Sequence, residues 1–402
     1  MKSIRPLFVL AAWLLLATSC RDDSTKFIFF TDTHFPDSEM DQPALFEPIC
    51  REEGVPYVIW GGDGVSRYAS PDSAWAQQYA IEEQISRFAR IYNVRGNHDF
   101  SRRVRPGVEE QVGTLSQVET AERMRSFRSP DAVSNAADPG ACYYYFDDLS
   151  ARVRFLVLDT HDRVRDENAP MATELSVGEV QTDWVCRQAI GTLPSGWSLL
   201  VFSHAPVWWD NYKAHFKESL SRIRQAASEK GAPILAWFSG HIHRDTQLAQ
   251  EGQWEITTYC YTPTFPRVMM FDTEPSDREG DHRPCFDVVT LTKGHRELRC
   301  RRVGAGHSRI FHLDPVELRV GESKKLRPGI KQAADWRCLD AYGSSIHHEK
   351  WQYPCEVASF DTESRKVTGV APGEAMVVAI SKDGTRESFL IRVFPSDSSS
   401  AD

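Results

Sequence analysis

Lys26-Phe-Ile-Phe-Phe30-Thr31-Asp32-Thr33-His34 joins a short run of aromatic and branched residues to a carboxylate and an imidazole. The pattern recurs along the chain. YVIW precedes Gly61-Gly62-Asp63, IYNV precedes Gly96 and the pair Asn97-His98, LLVF precedes His204, and ILAWF precedes His241 and His243. Each run is short, rich in branched and aromatic residues and bounded by Gly, Pro or Asp, which predicts strands buried on both faces. Helical patterns over 72–90, 177–190 and 211–230 lie between several of them. Strands alternating with helices predict a largely parallel α/β core. Such sheets bind ligands beyond their carboxyl ends, where every one of these polar clusters falls.

Carboxylate, carboxamide and imidazole in this ratio suit two borderline-hard divalent ions such as Mn, Fe, Zn or Ni. Two such ions about 4 Å apart clamp an in-line displacement at phosphorus. With two carboxylates they leave a formal charge of about +2, which favours an anionic phosphate ester. Gly61, Gly62, Gly96 and Gly240 are placed where the backbone must turn sharply beside an ion.

The ordered set D-x-H (Asp32, His34), G-D (Gly62, Asp63), G-N-H-D (Gly96 to Asp99), H (His204) and G-H-x-H (Gly240 to His243) resembles the calcineurin-like metallophosphoesterase superfamily. The resemblance covers 26–306 and implies two mixed β-sheets packed as a sandwich flanked by helices. It implies that Asp32, His34 and His243 hold one ion, that Asn97, His204 and His241 hold the other, and that Asp63 bridges them. His98 is then the catalytic residue facing substrate, a proton donor or a hydrogen-bond donor to phosphoryl oxygen. Asp99 either orients His98 or caps a turn. The implied reaction is hydrolysis of a phosphomonoester or phosphodiester by a hydroxide bridging two divalent ions. Purple acid phosphatases carry Tyr three residues after the bridging Asp; here that position is Ser66 and the nearest tyrosine is Tyr68, which disfavours a tyrosinate–iron site.

Other groups near these motifs are candidates for substrate contact: His161 after the run 155–158, Arg102, Arg103 and Arg105 after GNHDF, and Trp208, Trp209 and Tyr212 after SHAP. Ordinary packing or a solvated loop is the competing reading for each.

Lys2 and Arg5 precede an apolar stretch, 7–17, too short to span a bilayer and readable as a signal-peptide core. Leu16-Ala-Thr-Ser-Cys20 resembles a bacterial lipobox. It implies a lipoprotein signal peptide over 1–19, a tether over 20–25 lipidated at Cys20, and an extracytoplasmic, membrane-anchored protein. Of nine cysteines, Cys338 with Cys355 is the expected disulfide and Cys285 with Cys300 the second choice. The chain of 402 residues is 41% hydrophobic and carries a net charge of −9, with no broad basic stripe, so nucleic-acid binding is not expected.

Residues 286–303 read as a hairpin, and 272–283 as a polar loop. Beyond 309 short strand patterns recur at 316–320, 376–380 and 389–394. Together with LDPVELRVGESKKL, Trp336 and KVTGVAPGEAMVVAIS, they resemble a group 2 bacterial Ig-like domain over 309–396. That module implies glycan or protein contact; His347-His348 within it reads as a solvated loop, with metal binding the alternative, and 397–402 as a disordered tail. With all ligands before Gly304, the chain up to about Gly306 is expected to fold by itself. The alternative from another class is a surface binding or adhesion protein on an idle phosphoesterase scaffold.

Overall fold

The computed structural model describes residues 24–34, 42–65, 71–99, 115–162, 175–207, 214–243, 245–258, 283–340 and 355–396. Cys20, Ser66, Tyr68, Arg102, Arg103, Arg105, Trp208, Trp209, Tyr212, His347, His348, nearly all of 272–283 and the 397–402 tail lie outside them. No described helix is long and apolar enough to cross a membrane.

The chain opens as alternating strands and helices: β1 (Thr25–Phe30), α1 (Gln42–Glu53), β2 (Tyr57–Trp60), α2 (Pro71–Ile85) and β3 (Arg90–Asn93). These strands pair in parallel, β1 with β2 and β2 with β3. After α3 (Gln117–Arg125) come β4 (Val133–Ser134), β5 (Tyr144–Asp148), β6 (Val153–Val157), and α4 (Glu179–Trp184) continued by a π-turn over Val185–Ile190. Then follow β7 (Ser198–Phe202), α5 (Ala214–Lys230), β8 (Ile234–Ser239), β9 (Thr246–Gln250) and β10 (Gln253–Thr257). Strands β4-β5-β6-β7-β8-β10-β9 form a second, mixed sheet.

Both faces of these strands are buried, which is why the runs are apolar without alternation. In β1, Phe27 and Phe29 enter the core between the two sheets with Tyr92, Phe155, Phe202 and Phe238. Ile28 and Phe30 point the other way, to Phe46 of α1 and Ile81 and Ile85 of α2. In the second sheet Val201 and Trp237 face outward to Phe216, Leu220 and Ile223 of α5. The sandwich of two mixed sheets flanked by helices is the architecture observed.

The hairpin is β11 (Phe286–Leu291) with β12 (Glu297–Val303), registered Phe286 against Val303. It joins the first sheet through β1. The separation expected near 304–309 is not a break in hydrogen bonding. Strand β13 (Arg309–His312) pairs antiparallel with β12. The strands that follow are β14 (Val316–Arg319), β15 (Ser323–Lys325), β16 (Ala333–Asp340), β17 (Ala358–Asp361), β18 (Lys366–Gly369), β19 (Gly373–Ser381) and β20 (Arg386–Phe394). Strand β20 pairs in parallel with β13, so β16-β19-β20-β13-β12-β11-β1-β2-β3 is one sheet, with β14 beside β20.

The packing is shared as well. Met376, Val378 and Leu390 enter the central core with Phe311 and Leu339. Their neighbours Val377, Phe389 and Ile391 face a separate small core with Leu318 and Val367, under the sheet β15-β18-β17. Period-two alternation along β19 and β20 thus serves two cores at once. The described cysteines are free thiols, including both expected disulfide pairs. Cys338 and Cys355 nonetheless converge on Ala358, whose carbonyl accepts from one and whose amide donates to the other.

Candidate metal centre

Each ligand candidate sits where its strand stops. Asp32 and His34 follow β1, Asp63 follows β2, Asn97 and His98 follow β3, His204 follows β7, and His241 and His243 follow β8. The first three strands belong to one sheet and the last two to the other, so the carboxyl ends of both sheets meet here. The backbone at these ends is interlocked: Asp32 N donates to Gly62 O (2.9 Å), His34 N to Asp63 O (3.0 Å) and Gly240 N to His204 O (2.9 Å).

Asp32, His34, Asp63, His241 and His243 all have positive φ, between 51° and 71°. Such backbone costs about 1–3 kcal/mol per non-glycine residue and persists only where the surroundings impose it. The glycines admit the crowding. A Cβ on Gly96 would meet Asp63 Oδ1 at 2.2 Å, and one on Gly240 would meet Asp32 Oδ2 at 2.4 Å.

Three overlapping groups bring donor atoms within 4.8 Å of one another: Asp32, His34, His243; His34, Asp63, His98; and Asp63, His204, His241. His34 Nε2 and His243 Nε2 are 3.2 Å apart, and His204 Nε2 and His241 Nδ1 3.3 Å. Two nitrogens each about 2.1 Å from one ion would lie roughly 3–3.5 Å apart, so both pairs have the spacing of shared ligands. Asp63 Oδ2 lies 3.1 Å from His204 Nε2 and 3.8 Å from His98 Nε2, between the groups. No hydrogen bond reaches Asp32 Oδ1 or Asn97 Oδ1, though both atoms are buried. His204 Nδ1 donates to Gly61 O at 2.9 Å, which leaves Nε2 pointing inward, the usual support of a metal-binding histidine. The residues fit a pair of divalent cations.

Electrostatics agree. Burial pushes the His34 imidazole down to about 4 and His241 down to about 3, so both rings are neutral at neutral pH. Burial opposes charge on His204 too, but the Asp63 and Asp32 carboxylates beside it raise it to about 9. Burial would raise Asp32 and Asp63; the surrounding imidazoles, His243 and His204 foremost, hold both low instead. The buried Asp32 and Asp63 carboxylates thus favour positive charge beside them, as the raised His204 shows.

The outer support was only partly legible. Among the described residues, the partners of the Asp99 carboxylate are backbone amides and not the His98 ring. Asp99 is 3% exposed, and its carboxylate accepts from Gly96 N (2.6 Å), Gly64 N (2.8 Å), Asp63 N (3.2 Å) and Val65 N (3.3 Å). One side chain thereby fixes the spacing between the loops that carry Asp63 and Asn97. His161 is buried beside the centre, its ring 6.0 Å from His204 and 6.3 Å from His241. The fully buried pair Arg95–Asp159 holds it: Arg95 donates to His161 O, and Asp159 Oδ1 accepts from His161 N at 2.8 Å. A charged residue inside Asn93-Val-Arg95-Gly was the available signal for this pair, and the motif reading passed over it.

Behind the Asp63 loop, Glu82 is buried, with Gln78 and Asn93 donating to Oε1 at 3.0 and 3.2 Å and no hydrogen bond to Oε2. Burial raises its carboxyl from 4.5 to about 7. An acid raised on folding binds its proton more tightly in the folded chain. Its contribution is full below the unfolded value and is lost as pH rises towards 7. Glu82→Gln is therefore expected to stabilise the protein at about pH 8 by up to roughly 2–3 kcal/mol, with little gain at about pH 5. Thermal melts of both proteins at the two pH values check this; an equal shift at both would sink it.

The fold and this cage define a two-sheet α/β protein of the dinuclear-centre kind. A family model described as calcineurin-like phosphoesterase matches residues 25–245, more than half of the chain, and the chain belongs to that family. No curated protein matches it. Among solved structures it is similar to a dimetal phosphatase from Danio rerio, at 16% identity over 71% of this chain and 98% of that one, with a TM-score of 0.48. A putative 5'-nucleotidase from Staphylococcus aureus is 13% identical over 70% of this chain and 54% of its own, with a TM-score of 0.38. The phosphopantetheinyl hydrolase of Mycobacterium tuberculosis is 12% identical over 60% and 91%, with a TM-score of 0.33.

Proposed function

We propose that this chain hydrolyses phosphoester bonds with two divalent cations. The observation that carries the reading is the convergence of buried His and Asp donors, in overlapping groups, at the carboxyl ends of both sheets. Asp32, His34 and His243 would hold one ion, and Asn97, His204 and His241 the other, with Asp63 shared. The ions, when bound, supply positive charge for the phosphoryl group and lower the pKa of water. His98 is the only imidazole of the set given no metal in this assignment. Its backbone N–H donates to Asp63 Oδ1 at 2.7 Å, and its ring Nε2 lies 3.8 Å from Asp63 Oδ2, beside the centre. There it can deliver a proton to the leaving oxygen or hydrogen-bond a phosphoryl oxygen.

Turnover of a chromogenic phosphomonoester and a phosphodiester, after chelation and again after adding Mn²⁺, tests the activity and separates the two ester classes. Two bound ions without turnover of either ester would favour a binding protein on an idle scaffold. His98→Ala is expected to keep its metal stoichiometry and lose about 10²–10³-fold in rate. If His98 is the proton donor, the loss shrinks for a leaving group of low pKa. An unchanged rate would remove His98 from the mechanism.

The lipobox-like Leu16 to Cys20 supports anchoring of the enzyme to a bacterial envelope membrane through Cys20. Cys20→Ser would then release it to the soluble fraction. The resemblance of 309–396 to a bacterial Ig-like domain supports a role for that region in placing the enzyme against a glycan or protein.

A further inference from the structure

The family match ends at Asp245, two residues past His243. Asp245 itself does not end there in its contacts. Arg302 of β12 donates to Asp245 Oδ1 at 2.8 Å and to Asp287 Oδ1 of β11 at 2.9 Å. Arg309 of β13 donates to Asp287 Oδ2 at 2.8 Å, to Thr257 O at 2.8 Å and to Thr246 O at 3.2 Å. All four charged side chains are at most 4% exposed.

Two carboxylates and two guanidiniums balance in charge. Even so, a buried ion network is no more stabilising than an apolar core of the same volume. What it supplies is fixed geometry: planar guanidiniums with several donors each lock the groups they touch. The group at its end is the segment that carries His241 and His243, with φ of 71° and 54°. Strained backbone needs anchors on both sides. On the amino side these are Gly240 N to His204 O and His241 N to Asp32 Oδ2, at 3.0 Å. On the carboxyl side, Asp245 and the carbonyl of Thr246 are the groups gripped by Arg302 and Arg309.

We infer that Arg302 and Arg309, acting through Asp245, are positioning residues for His243, so that the metal centre depends on strands outside the family segment. This rests on the two-metal reading. The Asp32–His34–His243 group is nearest the anchor, so its ion should feel the loss first.

The test uses the full chain and two variants, Asp245→Asn and Arg309→Lys. Co²⁺ and Mn²⁺ are titrated by absorption and calorimetry, and the chelated proteins are melted. Losing an outer partner of a metal ligand typically costs about 10–100-fold in affinity. Asp245→Asn is expected to weaken one ion by that much and leave the other within about twofold. Arg309→Lys keeps the charge but not the fork of donors, and should show a smaller loss at the same ion. It decides the question if Asp245→Asn proves insoluble. Unchanged affinities for both ions in folded variants would overturn the inference. So would equal loss of both ions together with a fall in the melting temperature of the chelated protein, which marks a purely structural network. A wild-type chain that binds no pair of ions would overturn the two-metal reading itself, and this inference with it.

Discussion

Asp63→Ala is expected to lose both bound ions and nearly all hydrolytic activity while the protein stays folded. Asp63 takes part in two of the three donor groups, and its carboxylate lies between the His204 and His98 rings. No other described carboxylate is shared between groups in this way. The cost should exceed the roughly 10–100-fold in affinity that follows loss of an outer-shell partner. By contrast His241→Ala should weaken mainly the ion beside His204. Metal analysis after gel filtration, run beside ester turnover, reads both effects. Two full equivalents of metal in Asp63→Ala would dismiss the bridging role.

A chain stopped after Gly306 is expected to be insoluble or unfolded. Phe311, Leu339, Met376, Val378 and Leu390 all belong to the central core between the sheets. Removing five large apolar side chains at about 1.5–3 kcal/mol each withdraws roughly 8–15 kcal/mol. That is comparable with the whole stability of an ordinary domain, about 5–15 kcal/mol. The cut also removes Arg309 and leaves Asp287 with a single guanidinium partner, Arg302, in a buried site. Soluble yield and a thermal melt of the shortened chain decide it. A cooperative melt with two bound ions would show that the first sheet tolerates a free edge at β12.

Much of the catalytic layer was readable from the chain alone. Apolar runs ending in Gly, Asp or His located the strand termini β1, β2, β3, β7 and β8, because burial on both faces leaves no alternation to misread. The helix expected over 211–230 is observed as Ala214–Lys230, while the one expected over 72–90 ends at Ile85, before β3 begins at Arg90. The strand patterns at 376–380 and 389–394 fall in β19 and β20, and that at 316–320 runs one residue past β14. Beyond 306 the chain continues the first sheet through β13 and β20, which no motif marks. Alternation along β19 and β20 does not reveal that each face meets a different core.

Sequence by itself determined which side chains are available at the strand ends and in what order, since strand pattern and ligand identity are properties of a few adjacent residues. Tertiary structure alone decided what holds them. The left-handed backbone at Asp32, His34, Asp63, His241 and His243 is imposed by contacts from other strands, against local preference. Asp99 gathers four amides from two loops, one of them more than 30 residues away. Arg302 and Arg309 reach Asp245 across more than 50 residues. Side-chain partners at such separations are set by how whole sheets pack, and no local pattern of residues carries that information.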